Sequence, residues 1–229
     1  MGKPNDPKVG DSNNPSEIGS LFPSHIIESI ELNHCDLLEV IFQLEELNVE
    51  ESHMALVLDQ LRELVLYVLP KLTHIWKKGP ERIMGFGNLR LLNVNECDSL
   101  TYLFSPSIAK LLVMLETINV GKCEKIEEIL ARAGEEEEEK DVLFHKVNSI
   151  SFKGLPNLKF FCNEANALEW PSLKEIEVIN CPSFSTFIPS KLITPKLEGV
   201  YNGYLKGVEM YHWMGDLNAT IEHIFKGKV

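Results

Sequence analysis

Apolar residues recur along this chain at fixed intervals, most plainly in the stretch LRLLNVNECDSLTYL that runs from Leu89 to Leu103. Leu89, Leu92, Val94, Cys97 and Leu100 fall at offsets 0, 3, 5, 8 and 11. Around Leu92 and Val94 the period is two, so both side chains enter a core while Leu91, Asn93 and Asn95 face outward. Cys97 sits where such a strand must turn, and a small, weakly polar side chain is readily buried there. The spacing recurs as Ile27, Ile30, Leu32, Cys35, as Leu61, Leu64, Leu66, Leu69, and as Leu115, Ile118, Val120, Cys123. It returns as Val147, Ile150, Phe152, Leu155 and as Leu173, Ile176, Val178, Cys181, with a weaker copy at Leu197 and Val200.

Successive copies start 24 to 34 residues apart, and the pattern is that of the leucine-rich repeat, in which a short strand enters a turn. One unit buries too little apolar surface to fold alone, so the copies must stack. The expected fold is α/β, a solenoid with a curved parallel sheet on its concave face and short helices and loops on its convex face. Residues 1–20, with three prolines and almost no large apolar side chain, read as a disordered tail. Residues 21–200 read as a solenoid of six to seven repeats, and residues 201–229 as a degenerate last repeat with a capping helix. An uncovered first repeat exposes apolar edge. Either Leu21-Phe22-Pro23 forms a minimal cap or the chain is the severed end of a longer solenoid, and severance is the favoured expectation.

Between strands the pattern predicts a short helix or turn at Glu50–Gln60, and short helices after Ser105-Pro106 and over Glu124–Ala133. Ser105 suits an N-cap and Pro106 the first helical position, with Ile108, Leu111, Leu112 and Leu115 at helical spacing. In Glu124–Ala133 the inward residues would be Ile126, Ile129 and Leu130, with Gly134 as the stop. Asp216–Phe225 places Leu217, Ile221, Ile224 and Phe225 on one helical face and reads as the C-terminal cap. Two turn types alternate imperfectly. One passes through cysteine; the other, Leu69-Pro70-Lys71-Leu72 and Leu155-Pro156-Asn157-Leu158, uses proline to fix φ as the strand ends.

A hydrophobic share of 44% is ample for a continuous core, and a net charge of −12 argues against nucleic acid, whose affinity rests on Lys and Arg. Four of the five cysteines (Cys35, Cys97, Cys123, Cys181) share one repeat position and read as buried thiols. No CxxC or HxxxH pairing suggests a metal site. The odd cysteine count and the lack of a signal peptide point to a reducing, cytoplasmic setting, and no apolar run approaches membrane-spanning length. Five consecutive glutamates, Glu135–Glu139, read as a solvated loop.

No phosphate-binding, dinucleotide-binding or nucleophile-elbow motif is present, and the seven histidines are scattered without triad partners. Catalytic residues, cofactors and metals are therefore not expected. Binding surface is the better candidate, because residues between the apolar strand positions point to the concave face. Those singled out are Val65, Tyr67, Leu91, Asn93, Asn95, Asn119, Ser151, Lys153, Glu177 and Ile179. Val65, Tyr67, Leu91 and Ile179 carry most weight, since a merely solvated sheet would be polar there.

Several segments resemble the C-terminal leucine-rich-repeat region of plant coiled-coil nucleotide-binding immune receptors, the NLR disease-resistance proteins. They are LRELVLYVLPKLTHIW, LRLLNVNECDSLTYLFSPSIAKLLVMLETINVGKCEKIEEIL, LPNLKFFC, WPSLKEIEVINCPSF, TPKLEGV and GDLNATIEHIFK, in that order. The resemblance spans Leu21 to Lys226. It implies sensing of a pathogen effector, or receptor autoinhibition, with a protein as ligand: an effector, a guarded host protein, or the receptor's own missing domains. The coiled-coil and nucleotide-binding domains, with their P-loop, are not in this sequence. Three readings stand: a receptor-derived recognition module, a stand-alone adaptor or decoy binding a host protein, and a truncated non-signalling product.

Overall fold

A computed structural model describes residues 27–44, 58–77, 85–131, 144–163, 168–205 and 208–226. The expected tail, the Leu21–Pro23 cap and the glutamate run lie outside these residues, as does most of the Glu50–Gln60 helix or turn. In chain order the elements are β1 (Ser29–Asn33), β2 (Val40–Gln43), β3 (Glu63–Tyr67), β4 (His74–Lys77) and β5 (Leu91–Asn95). There follow α1 (Pro106–Leu111), β6 (Thr117–Gly121), β7 (Glu128–Leu130), β8 (Ser149–Lys153), β9 (Phe160–Cys162) and β10 (Leu168–Glu169). The last are β11 (Glu175–Ile179), β12 (Leu192–Ile193), β13 (Val200–Leu205), β14 (Val208–His212) and α2 (Leu217–Lys226).

One eight-stranded sheet, in the order β1-β3-β5-β6-β8-β11-β13-β14, runs from Ser29 to His212 among the described residues. Its pairings are parallel and in register from β1 to β13: Leu64 stands opposite Ile30 and Leu92, and Ile118 opposite Leu92 and Ile150. Register is locked because a one-residue slip would carry two buried side chains per strand to the solvent face. Leu64, Leu66, Leu92, Val94, Ile118, Phe152 and Val178 are fully buried, while their alternate neighbours are half-buried or exposed. Burying a large aliphatic side chain is worth about 1.5–3 kcal/mol. An exposed ion pair gives roughly 0–1 kcal/mol, so stacking of apolar rows and not charge pairing holds the repeats together.

The turn after each strand repeats one dihedral. His34, Val68, Glu96, Lys122, Gly154 and Asn180 each follow the last strand residue and have φ between 50° and 63°. This left-handed residue aims its N–H sideways at the next repeat: Val68 N–H donates to the Asn95 carbonyl at 3.0 Å and Lys122 N–H to the Lys153 carbonyl at 2.8 Å. The cysteine or leucine that follows is then driven into the core. A second repeated tie lies just beyond. Ser99 Oγ donates to the Pro70 carbonyl at 2.6 Å, Asn157 Nδ2 to that of Glu124 at 2.7 Å, and Ser183 Oγ to that of Pro156 at 2.6 Å.

The opposite side of the solenoid is built mostly of strand, where short helices were expected. Parallel two-stranded ladders pair β2 with β4, β7 with β9 and β10 with β12. The expected helix over Glu124–Ala133 is a turn at residues 124–125 followed by β7. Ile126, Ile129 and Leu130 are buried as foreseen. Their i, i+3, i+4 spacing equally suits one buried turn residue and a strand with two consecutive inward side chains. Backbone pairing with the neighbouring repeats then decides for strand: Phe104 N–H donates to Ile129 O at 3.0 Å and Ala131 N–H to Phe104 O at 2.8 Å. Aromatic rings fill the space behind, with Trp76 and Phe104 stacked at 5.6 Å and Phe161 and Phe187 at 5.0 Å between centroids.

The expected helix after Ser105 is α1, capped by Ser105 Oγ accepting from Ile108 N–H at 3.4 Å. The C-terminal helix is α2, and Asp216 Oδ1 caps it by accepting from Ala219 N–H at 2.8 Å. Its Leu217, Ile221 and Ile224 are buried. Cysteines 97, 123, 162 and 181 are buried thiols outside any disulfide, whereas Cys35, expected to be buried, is half-buried.

Candidate protein-recognition surface

The open face of the large sheet carries three rows of outward side chains, each fixed by the register. The first runs Ser29, Glu63, Leu91, Thr117, Ser149, Glu175, and the second Glu31, Val65, Asn93, Asn119, Ser151, Glu177, Tyr201. The third runs Asn33, Tyr67, Asn95, Gly121, Lys153, Ile179. All ten residues singled out from the sequence thus lie on one face, and Tyr67 and Ile179 share a row with Asn95 and Lys153 between them. Tyr67 is 37% exposed; Val65, Leu91 and Ile179 are half-buried.

Apolar groups cluster at one end. Val65 and Leu91 are diagonal neighbours on adjacent strands, and Tyr67 follows Val65 on the same face. Beyond Leu91, the middle of the face on β5, β6 and β8 is an uncharged field of amide, hydroxyl and glycine positions up to Lys153. Asn95 Oδ1 is buried there without a hydrogen-bond partner.

Charged groups on and beside the face are partly neutralised. Glu177 Oε2 accepts from Ser151 Oγ at 2.7 Å and pairs with Lys153 Nζ at 2.7 Å. Lys122 Nζ pairs with Glu96 at 2.9 Å, and the hydrogen bond to that carboxylate raises the lysine pKa. Arg90 pairs with Glu116 at 3.4 Å. The buried thiols have pKa values shifted in different directions, and the hydrogen bond with the Cys123 side chain lowers that of Cys97. Burial pushes Cys181 up to about 11, and the hydrogen bond with the Cys97 side chain, with burial, holds Cys123 higher still.

The far end of the face is walled by the β13–β14 hairpin, which turns antiparallel where the parallel series ends. Gly199 permits the return: a Cβ there would meet His212 O at 3.2 Å. The hairpin leaves a hollow of about 910 Å³ bordered by Ser149, Ser151, Glu175, Glu177, Tyr201 and Tyr211. Tyr201 and Tyr211 face each other at 5.3 Å, and Tyr211 is 64% exposed. Sequence reasoning missed both tyrosines. Carrying the repeat frame on from Leu197 puts Tyr201 on the outward position that Val65 and Asn93 occupy, so the signal was there for one of them.

Among the described residues no group of three or more His, Cys, Asp or Glu could hold a metal ion, and no helix is long and apolar enough to cross a membrane. The chain is similar to the probable disease resistance protein At4g27220 of Arabidopsis thaliana, at 34% identity over 110 residues. That alignment covers 46% of this chain and 12% of the relative, so the chain spans a small part of the relative's length. No solved structure matches it. The family of plant disease resistance protein RPS2-like leucine-rich repeats matches residues 14–124 and 110–198, most of the chain, and the repeat geometry agrees: this chain belongs to that leucine-rich-repeat family.

Proposed function

We propose that the chain is the protein-recognition module of a plant cytoplasmic immune receptor and that it holds its partner on the open face of the sheet. The partner is a pathogen effector, a guarded host protein, or the nucleotide-binding part of the receptor itself. Residues 21–200 form the recognition body and 201–229 its cap, with no catalysis or cofactor involved. One observation carries this reading: a face locked in register keeps Val65, Tyr67, Leu91 and Ile179 at the surface. Rigid apolar anchors amid polar neighbours are what binding hot spots use, at little cost in ordering.

The test compares two variants against a partner captured with this chain from infected tissue. Tyr67→Ala is expected to weaken binding by roughly 1–3 kcal/mol with little loss of stability. Neutralising Glu135–Glu139 is expected to change mainly the association rate, since long-range attraction is salt-screened. Titration at physiological salt separates the two. Loss of binding in the glutamate variant with normal binding by Tyr67→Ala sinks the open-face assignment.

A further inference from the structure

We propose that the N-terminal third of the open face docks a protein segment in which an apolar anchor is flanked by lysine or arginine. The inference rests on the open-face reading above and adds the place on the face and the chemistry of the partner. Val65, Tyr67 and Leu91 form the apolar centre. Glu31 pairs across the sheet with Val65, and Glu63 with Leu91, so each carboxylate lies beside one of the two aliphatic anchors. Ser29 faces Glu63 and Glu31 faces Val65, which makes the two glutamates diagonal neighbours on β1 and β3, about 7–8 Å apart.

These two carboxylates differ from the others nearby. Glu177, Glu96, Glu116 and Glu28 each have a basic partner at 3.6 Å or less. Glu31 and Glu63 are exposed, and no described residue forms a side-chain hydrogen bond or ion pair with either carboxylate. The nearby cations are committed elsewhere: Arg62 to Glu28 at 3.6 Å and Lys122 to Glu96 at 2.9 Å. An apolar patch beside two carboxylates that no described cation neutralises is complementary to an apolar side chain with cationic neighbours. The apolar contact supplies affinity, and the rim charges supply steering and orientation. The opposite end of the face offers less, because Glu177 is already satisfied by Ser151 and Lys153.

A random dodecapeptide phage library panned on the full chain tests it, followed by titration of the enriched peptides made synthetically. The expected peptides carry an aromatic or aliphatic residue beside lysine or arginine. Their affinity falls about tenfold in Glu31→Gln/Glu63→Gln, at least as much in Tyr67→Ala, and little in Glu39→Gln/Glu124→Gln, which removes the same charge from positions off the three rows. Enrichment of acidic or uncharged peptides, no enrichment, or equal loss in both glutamine pairs overturns the proposal. Peptides that need Tyr67 but ignore Glu31 and Glu63 overturn it and leave the open-face reading standing. Peptides indifferent to Tyr67→Ala, Asn93→Ala and Ser151→Ala alike remove that reading as well.

Discussion

At Val68 a β-branched side chain sits at φ 53°, a region that L-residues adopt at a cost of about 1–2 kcal/mol. The same turn position holds Gly154 at φ 63° and Asn180 at φ 55°, the two residue types suited to it. Val68 tolerates the angle because its N–H then reaches the Asn95 carbonyl and Leu69 is set into the core at 0% exposure. Val68→Asn is accordingly expected to stabilise the protein by about 1 kcal/mol. Gly154→Ala should destabilise by a similar amount, since a Cβ there meets nothing closer than 3.8 Å and only the dihedral is strained. Urea midpoints measure both, and a lower midpoint for Val68→Asn would mean that the side chain's own packing outweighs the strain. No sequence rule finds this position: His, Val, Glu, Lys, Gly and Asn share it. What was legible at this scale was the next residue, whose Leu-or-Cys identity reports burial.

Each repeat spends its apolar residues in two places, and only the first was legible as strand. The alternation of Leu64 and Leu66 or Leu92 and Val94 marks a strand with one face inward, and it placed β1, β3, β5, β6, β8 and β11. The second place is an apolar pair fourteen and fifteen residues after the repeat begins: Ile41-Phe42, Ile75-Trp76, Leu103-Phe104, Ile129-Leu130, Phe161-Cys162 and Phe187-Ile188, all buried. Two adjacent inward side chains have no period of two, so in a single repeat they imitate a helix, as in Glu124–Ala133. Comparison across repeats reveals them. Besides its buried apolar stripe, the cap is tied by one side chain: Asn218 Oδ1 accepts from Phe187 N–H at 3.0 Å and Ile188 N–H at 3.2 Å, and Nδ2 donates to Ile188 O at 2.8 Å and Ser190 O at 3.1 Å. The amide thus stands in for the next repeat's backbone. Asn218→Ala should cost roughly 2–4 kcal/mol, because the Phe187 and Ile188 groups would be left unpaired beneath the helix. Thermal melting checks it; no measurable shift would show that the apolar stripe of α2 alone seats the cap.

Stability in a stacked chain is close to a sum of repeat terms and nearest-neighbour interfaces, so the two ends need not be equally firm. At the C-terminal end the β13–β14 hairpin and α2 cover the core, and Leu217 and Ile221 are at most 1% exposed. At the other end Ile27, Ile30, Leu32 and Cys35 are only partly buried, whereas Leu61, Leu64, Leu66 and Leu69, their equivalents one repeat on, are at most 1% exposed. Among the described residues β1 thus has one neighbouring strand in the large sheet where β3, β5, β6, β8 and β11 have two. Local opening follows interface count, and each 1.4 kcal/mol of missing interface is a tenfold faster exchange of amide protons. Amides of β1 should exchange at least tenfold faster than those of β6 and β8, with β13 closer to the interior strands than to β1. Hydrogen exchange read by mass spectrometry resolves these segments. Equal protection in β1 and β6 would show that the first repeat is covered as fully as the rest. The expected gradient bears on recognition, because Glu31 lies on β1 while Val65, Tyr67 and Leu91 lie on the firmer β3 and β5. A partner that grips this end would slow exchange in β1 most, since ordering the loosest strand is where binding has most to add.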